Sequence, residues 1–258
     1  MDFDIALAGL IVGVLIGLTG IGGGSLLTPA LIVIFKTNPL TAVGTDLVFN
    51  AATKLFGSVQ HARQGTISYR LVFYMGLGSI PAALAGVGLI TLLKEAYDVD
   101  VSAVVQVVLG ATLLFAGSLM IVRPIIDRRK KSPTDVRFFV PFEQRVRFTV
   151  LLGVFVGFLV GVTSIGSGAL IVPMLTLFYP LPMNRIVGTD IFHALVLASV
   201  ASLAHWGAGN VDWALAGNLL IGSVPGVLIG SRLAIVAPDR VMRPALGLLV
   251  ILSGARLL

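Results

Sequence analysis

A displacement of 144 residues lays the second half of this chain on the first without a gap. Gly13, Gly17, Thr19, Ile21, Gly22, Gly24 and Pro29 fall on Gly157, Gly161, Thr163, Ile165, Gly166, Gly168 and Pro173. In the same register Val43-Gly44-Thr45-Asp46 falls on Val187-Gly188-Thr189-Asp190, His61 on His205, and Gly78-Ser79 and Pro81 on Gly222-Ser223 and Pro225. Roughly a third of positions between 9 and 86 are identical, and chance matching in a Gly-rich, Leu-rich chain does not also align Thr, Asp, His and Pro. A repeat this long restricts the fold to two copies of one unit.

The solvent of that fold follows from composition. Hydrophobic residues make up 57% of the 258 residues and charged residues 12%, with a mean hydropathy of +1.01. Soluble domains carry about 25% charged residues, so lipid must cover most of the outside. Met1-Asp2-Phe3-Asp4 is acidic where a cleavable signal needs basic residues, and the first apolar segment is expected to belong to the mature fold. The chain has no cysteine, which excludes disulfides, thiolate metal sites and cysteine nucleophiles. No cofactor or metal is expected.

Each half divides into five apolar segments, at about 4–18, 25–36, 40–61, 68–93 and 101–123, then 147–162, 169–180, 185–206, 213–235 and 239–257. A membrane crossing takes about 20 residues. The last three segments of each half reach that length, and the first two do not. A Gly-rich break separates those two, so they form either a re-entrant hairpin or two short tilted crossings. The expected fold is an all-α polytopic membrane protein, with a first repeat at 1–123, a basic linker at 124–146 and a second repeat at 147–258.

Eight of the 18 Lys and Arg residues lie between Arg123 and Arg147. Basic connectors stay on the cytoplasmic side, and no aromatic-interleaved basic surface accompanies this one to suggest nucleic acid. Counting outward from it puts 94–100 and 205–212 outside, 63–70 and Arg185 inside, and both termini outside, in a plasma membrane. Three full crossings per half is an odd number, so the second repeat is expected to be inverted, the usual construction of secondary transporters.

Polar groups at depth supply the candidate site. The breaks, Thr19-Gly20-Ile21-Gly22-Gly23-Gly24-Ser25 and Thr163-Ser164-Ile165-Gly166-Ser167-Gly168, are expected to unwind. Broken backbone at membrane depth is tolerated only inside protein or along a wet cavity. Free N–H groups there would favour an anion, and a plain structural kink is the other reading. The glycines are no dinucleotide motif, because neither the preceding strand nor the ribose-binding acid is present. With Asn38-Pro39 starting a helix, Asp46, Asn50 and Lys54 lie on one face at depths of about 10, 16 and 22 Å. His193 falls near mid-bilayer on the matching helix. Lys54 is the cationic candidate and His193 a titratable partner, with snorkelling to the interface as the other reading of Lys54. Asp46 and Asp190 read as a proton relay or as capping groups, too far apart for an aspartic enzyme dyad. His61 and His205 read as interface residues. Rows of glycine at spacing four (9, 13, 17; 153, 157, 161; 222, 226, 230) read as helix packing surfaces.

The segments GLTGIGGGSLLTPAL and GVTSIGSGALIVPML, each followed by AVGTD or IVGTD and then GSIPA or GSVPG, resemble the TauE/SafE sulfite exporter family over nearly the whole chain. That resemblance implies a carrier, not an enzyme, which exports sulfite or an organosulfonate. A carrier for another small anion such as a carboxylate is the alternative. Proton or ion coupling and a homodimer are compatible with it. The halves differ at the candidate site: Gly23, Asn50 and Lys54 become Ser167, Ala194 and Ala198, and Phe49 becomes His193.

Overall fold

The computed structural model describes residues 3–19, 23–96, 100–127, 142–166, 168–179, 181–233 and 239–258, without the side chains of 17–19, 123–127, 142–145, 177, 231–233 and 239–245. Thr19's side chain, Gly22 and Ser167 therefore lie outside the described residues, as does most of the basic linker. The described residues form helices and turns, with no strand among them. The helices are α1 (Phe3–Thr19), α2 (Leu27–Val33), α3 (Pro39–Arg63), α4 (Tyr69–Ala96), α5 (Val101–Asp127), α6 (Phe142–Thr163), α7 (Ile171–Phe178), α8 (Met183–Gly207), α9 (Trp213–Leu233) and α10 (Asp239–Leu257).

Five of these helices, α4, α5, α6, α8 and α9, are long and apolar enough to cross a membrane. Their outward faces carry Leu84, Leu89, Phe115, Leu151, Leu203 and Leu228, all well exposed. Contiguous apolar surface of this kind needs lipid rather than water, and the chain is a multi-pass membrane protein. α3 has the same 25 residues as α8, but its mean hydropathy is lowered by the polar face it buries: Thr45, Asp46, Asn50, Lys54 and Ser58.

Local signals set the helix ends. Pro39 occupies the first turn of α3, and the Asn38 side chain accepts the Leu40 N–H at 3.0 Å. α3 and α8 end in the same way. Gly65 (φ +64°) and Gly209 (φ +71°) take the left-handed conformation just past the C-cap. The following N–H groups then reach back, Thr66 to the His61 carbonyl at 3.1 Å and Asn210 to the His205 carbonyl at 2.9 Å. That is a Schellman ending, and a side chain in place of either glycine would strain it.

The two halves are interleaved rather than side by side. α1 runs parallel to α9, and a Cβ added at Gly9 or Gly13 would collide with the backbone of Leu219 or Ser223. In the repeat-related contact, α6 runs parallel to α4, with Gly153 on Met75 and Gly157 on Ser79. α5 packs antiparallel on α10, Gly110 against Gly254 and Gly117 against Gly247. α3 packs antiparallel on α8, with Gly44 against Asn210 and Gly188 against Thr66. Each contact recurs with the halves exchanged, as a two-fold relation between repeats requires. The glycine rows serve this packing, since they let helix backbones touch where lipid supplies no hydrophobic drive.

The first segments depart from expectation. The 147–162 segment was expected to run about 15 residues; it is the 22-residue α6, about 33 Å long. Its start, Phe142-Glu143-Gln144-Arg145, is polar, and so lies outside any apolar window. α1 has 17 residues, whereas α2 and α7 have 7 and 8. Each pair is thus a long arm and a half-helix too short to cross. α6 lies along α4 with Gly161 on Ala83, so it stops near the level of Gly86 while α4 continues to Ala96. The remaining ten residues extend about 15 Å further, which leaves the break inside the protein.

Candidate functional site

The duplicated V-G-T-D stretch builds the frame of the site, one residue at a time. Gly44 and Gly188 admit the Schellman turn of the opposite half. Thr45 Oγ1 accepts the Asp212 N–H at 3.1 Å, and Thr189 Oγ1 accepts the Ser68 N–H at 2.9 Å. Ser68 and Asp212 begin α4 and α9, so each threonine caps the helix entering from the other repeat. Asp46 and Asp190 then turn to the breaks.

Asp190 Oδ2 accepts the Gly168 N–H at 2.9 Å, inside the second break. Asp46 Oδ2 accepts Thr28 Oγ1 at 3.0 Å, Asn50 Nδ2 at 3.0 Å, and the Ser164 hydroxyl. Asn50 passes the connection on, since its Oδ1 accepts the Gly23 N–H at 3.0 Å. The breaks also touch each other: a Cβ at Gly24 would collide with the Ser164 carbonyl oxygen. Ser164 is held at φ +62°, a left-handed conformation that costs a non-glycine residue of order 1–3 kcal/mol. Gly20 stands at the matching place in the first half. The hydroxyl is thus bought with backbone strain and spent on Asp46.

These bonds place the described members of the expected anion cradle. The Gly23 and Gly168 N–H groups exist as expected, but Asn50 and Asp190 already occupy them. The Gly166 carbonyl accepts the N–H groups of Leu170 and Ile171 at 3.3 and 3.2 Å. Thr163 is bound to its own segment, donating to the Leu159 carbonyl at 2.7 Å and accepting from the Ile165 N–H at 3.3 Å. Ser25 is buried on the 3-10 turn at Gly23–Ser25.

Lys54 does not snorkel. It is 9% exposed, although its neighbours Leu55 and Phe56 face outward at 51% and 71%. Asp190 and Asp46 are the carboxylates within electrostatic reach of its ammonium. It lines a small cavity of about 10 Å³ together with Asn50, Ser164, Leu47, Val160 and Leu197, which is room for about one water. Both halves contribute to this wall. His193 is 1% exposed and pairs with Ser79 of α4, Nε2 to Oγ at 2.9 Å, while its Nδ1 has no hydrogen-bond partner among the described residues. Asp46 Oδ1 and Asp190 Oδ1 are likewise buried without a partner among the described residues. No hydrogen bond joins the two aspartates to each other among the described residues.

His205 departs from its expected interfacial place. It is fully buried, and its Nε2 donates to the Gly161 carbonyl at 2.8 Å, in the last turn of α6. His61 is half-buried and pairs through Nδ1 with Thr66 Oγ1 at 2.8 Å. Sequence reasoning missed Ser164, Thr28 and Ser79. For two of these a signal was present: Ser164 and Thr28 face Gly20 and Val172 across the repeat. Polar residues where the repeat fails mark what only one half does.

The chain is 43% identical to the probable membrane transporter protein YjnA of Bacillus subtilis (strain 168), with 100% of both chains covered. It is 26% identical to the probable membrane transporter protein YdhB of the same organism, covering 98% of this chain and 99% of that one. It is also 26% identical to the probable membrane transporter protein MJ0441 of Methanocaldococcus jannaschii, over 80% of this chain and 72% of the other. No solved structure matches the chain. The family described as sulfite exporter TauE/SafE matches residues 5–257, and the chain belongs to that family.

Proposed function

We propose that this protein is a secondary transporter that exports a small sulfur oxyanion, sulfite or an organosulfonate, by alternating access, with the ion neutralised at Lys54. The observation that carries this reading is a buried lysine that lines a cavity with Ser164 of the second break, which in turn packs against Gly24 of the first. A buried ammonium at membrane depth is costly unless it serves a bound or paired group. The inversion of the repeats is supported by the antiparallel pairing of α3 with α8 and α5 with α10. A two-fold axis that reverses membrane-crossing helices lies in the plane of the bilayer, and exchange of the two repeat conformations then alternates the open side. Charge at the chain's connectors supports a cytoplasmic central loop and extracytoplasmic termini.

The electrostatics add a condition. Two carboxylates and one ammonium leave the site negative when all are ionised, and an incoming anion is repelled. A proton on Asp46 or Asp190 removes that repulsion, so proton-coupled transport fits the residues. A cavity with room for about one water is too small for a sulfur oxyanion, and the site must widen to load. The two aspartates are tied to separate partners, Asp46 to Thr28, Asn50 and Ser164 and Asp190 to Gly168.

The test is anion flux in proteoliposomes. Lys54→Ala is expected to abolish sulfite or organosulfonate flux while the purified variant remains monodisperse. Undiminished flux removes Lys54 from the site. A panel of sulfur oxyanions and carboxylates, scored by thermal stabilisation of the purified protein, identifies the ligand class, because a ligand that binds only the folded state raises its apparent stability.

A further inference from the structure

A second cavity, apart from the small one at Lys54, lies between α4 and α8. It measures about 360 Å³, room for on the order of ten waters. Val72, Gly76, Ile80 and Pro81 line it from α4 and Val196 and Leu197 from α8, Ser79 and His193 supply the polar groups, and Phe73 and Leu77, 62% and 53% exposed, stand at its open side.

Its position along the helices is informative. α4 and α8 leave the same end of the molecule, where the Ser68 N–H meets Thr189 and the Tyr69 ring stacks edge-on to Phe192 at 5.5 Å. From Tyr69, Val72 is about 5 Å along the helix and Pro81 about 18 Å, while His193 and Leu197 are about 15 and 21 Å from Met183. The cavity therefore runs from near one membrane face to mid-depth. Arg63, Arg70 and Arg185 are exposed, at the end of α3 and the starts of α4 and α8. A cluster of cations at the mouth of a low-dielectric cleft concentrates anions there.

The deep end adjoins the lysine. Leu197 lines both this cavity and the small one around Lys54, and it is 2% exposed. His193 lies within electrostatic reach of Lys54 and has a buried nitrogen without a partner. A buried polar atom left unpaired costs about 1–3 kcal/mol, which a visiting water or ion removes.

We infer that the cavity between α4 and α8 is the vestibule through which the ion reaches Lys54, with His193 as its inner polar contact and Leu197 as the partition between the two cavities. This rests on the assignment of Lys54 as the anion site. In the orientation set by the basic loops the vestibule opens to the cytoplasm, where an exporter loads. Displacing the Leu197 side chain joins the two spaces and supplies the volume that the small cavity lacks.

Thiol labelling tests this in a chain that has no cysteine of its own. A Cβ at Gly76 comes no nearer than 3.8 Å to Ile80 Cδ1, so Gly76→Cys fits without strain. Gly88→Cys, with nothing within 4 Å, provides a lipid-facing control on the same helix. In sealed vesicles a membrane-impermeant charged thiol reagent applied to the cytoplasmic face is expected to label Gly76→Cys, and Val196→Cys as a second probe, severalfold faster than Gly88→Cys. Labelling only by a membrane-soluble reagent shows a lipid-filled groove and overturns the proposal, as does labelling only from the opposite face. Ala198→Cys reports the inner cavity. Its labelling is expected to rise severalfold when Leu197→Ala is added, and an unchanged rate overturns the role of Leu197. Accessibility is read without substrate, so failure of the Lys54 assignment in the flux assay and failure of the vestibule are separate results.

Discussion

Ser164 of the second repeat donates a hydrogen bond to Asp46 of the first, and this bond ties the broken segment of one half to the long helix of the other. Thr28 and Asn50 donate to the same carboxylate oxygen. Asp190, its repeat counterpart, holds one such bond, from Gly168. The symmetric aspartates therefore carry unequal loads. Each buried donor left without its acceptor costs about 1–3 kcal/mol. Thr28 Oγ1 and Ser164 Oγ lie 3.2 Å apart and pair with each other once the carboxylate is gone, so among the described residues Asp46→Ala strands two donors and Asp190→Ala one, and Asp46→Ala is expected to lower the melting temperature in detergent more. Equal shifts, or the reverse order, contradict the hydrogen-bond assignment.

Glycine positions separate by what faces them. A Cβ at Gly157 of α6 would fall against the carbonyl oxygen and Cα of Ser79, which are backbone and cannot swing aside. Gly157→Ala is expected to force α6 off α4 and to yield little folded protein. Gly88→Ala meets nothing within 4 Å and gains helix propensity of about 1 kcal/mol. Fluorescence-detected size exclusion of the two variants gives the comparison. A monodisperse, wild-type-like Gly157→Ala peak removes the close α4–α6 contact.

Much of this was legible before any coordinates. The 144-residue register aligns Gly9 with Gly153 and Met75 with Leu219, and the packing of Gly9 on Leu219 and of Gly153 on Met75, which the structure adds, is one contact read twice. The breaks were visible because consecutive glycines have few other uses in a membrane helix. Lys54 stood out because charge at depth is expensive. What stayed hidden was tertiary. Nothing local to Asp46 says that its donors come from residues 28, 50 and 164, and nothing local to Gly168 says that Asp190 will fill the place expected for a ligand. The length of α6 was hidden because its polar start falls outside any apolar window. His205 was misplaced because a histidine near a helix end looks interfacial until the neighbouring carbonyl is known.

That histidine gives a third prediction. The Gly161 carbonyl accepts His205 Nε2 at 2.8 Å near the point where α6 stops, and residue 205 is fully buried. His205→Ala removes the donor and opens a cavity, at a cost of at least about 1–3 kcal/mol. His61→Ala at the matching, half-buried position loses only a bond to Thr66, which water can replace. Thermal melts in detergent are expected to show a large drop for His205→Ala and a small one for His61→Ala. Similar shifts for both would return His205 to the membrane surface.

The last prediction turns the exchange of halves into a measurement. Thr45 caps α9 through the Asp212 N–H, and Thr189 caps α4 through the Ser68 N–H. Both threonines are fully buried, and replacing either by valine keeps the shape while leaving one helix-start N–H unsatisfied. Each substitution is expected to cost about 1–3 kcal/mol, the Thr189 value also carrying the loss of its bond to the Arg185 carbonyl at 2.6 Å. The bonds share no partner and sit at opposite ends of the antiparallel α3–α8 pair, so the double variant is expected to lose the sum of the two. Denaturant titration in detergent reads all three. A negligible single cost would mean that the threonine does not cap the facing helix, and a double variant far from additive would mean that α4 and α9 are not capped independently. Additive losses at both positions fit two repeats that each complete the other, which is the arrangement a transporter needs if the same contacts are to be made in either half.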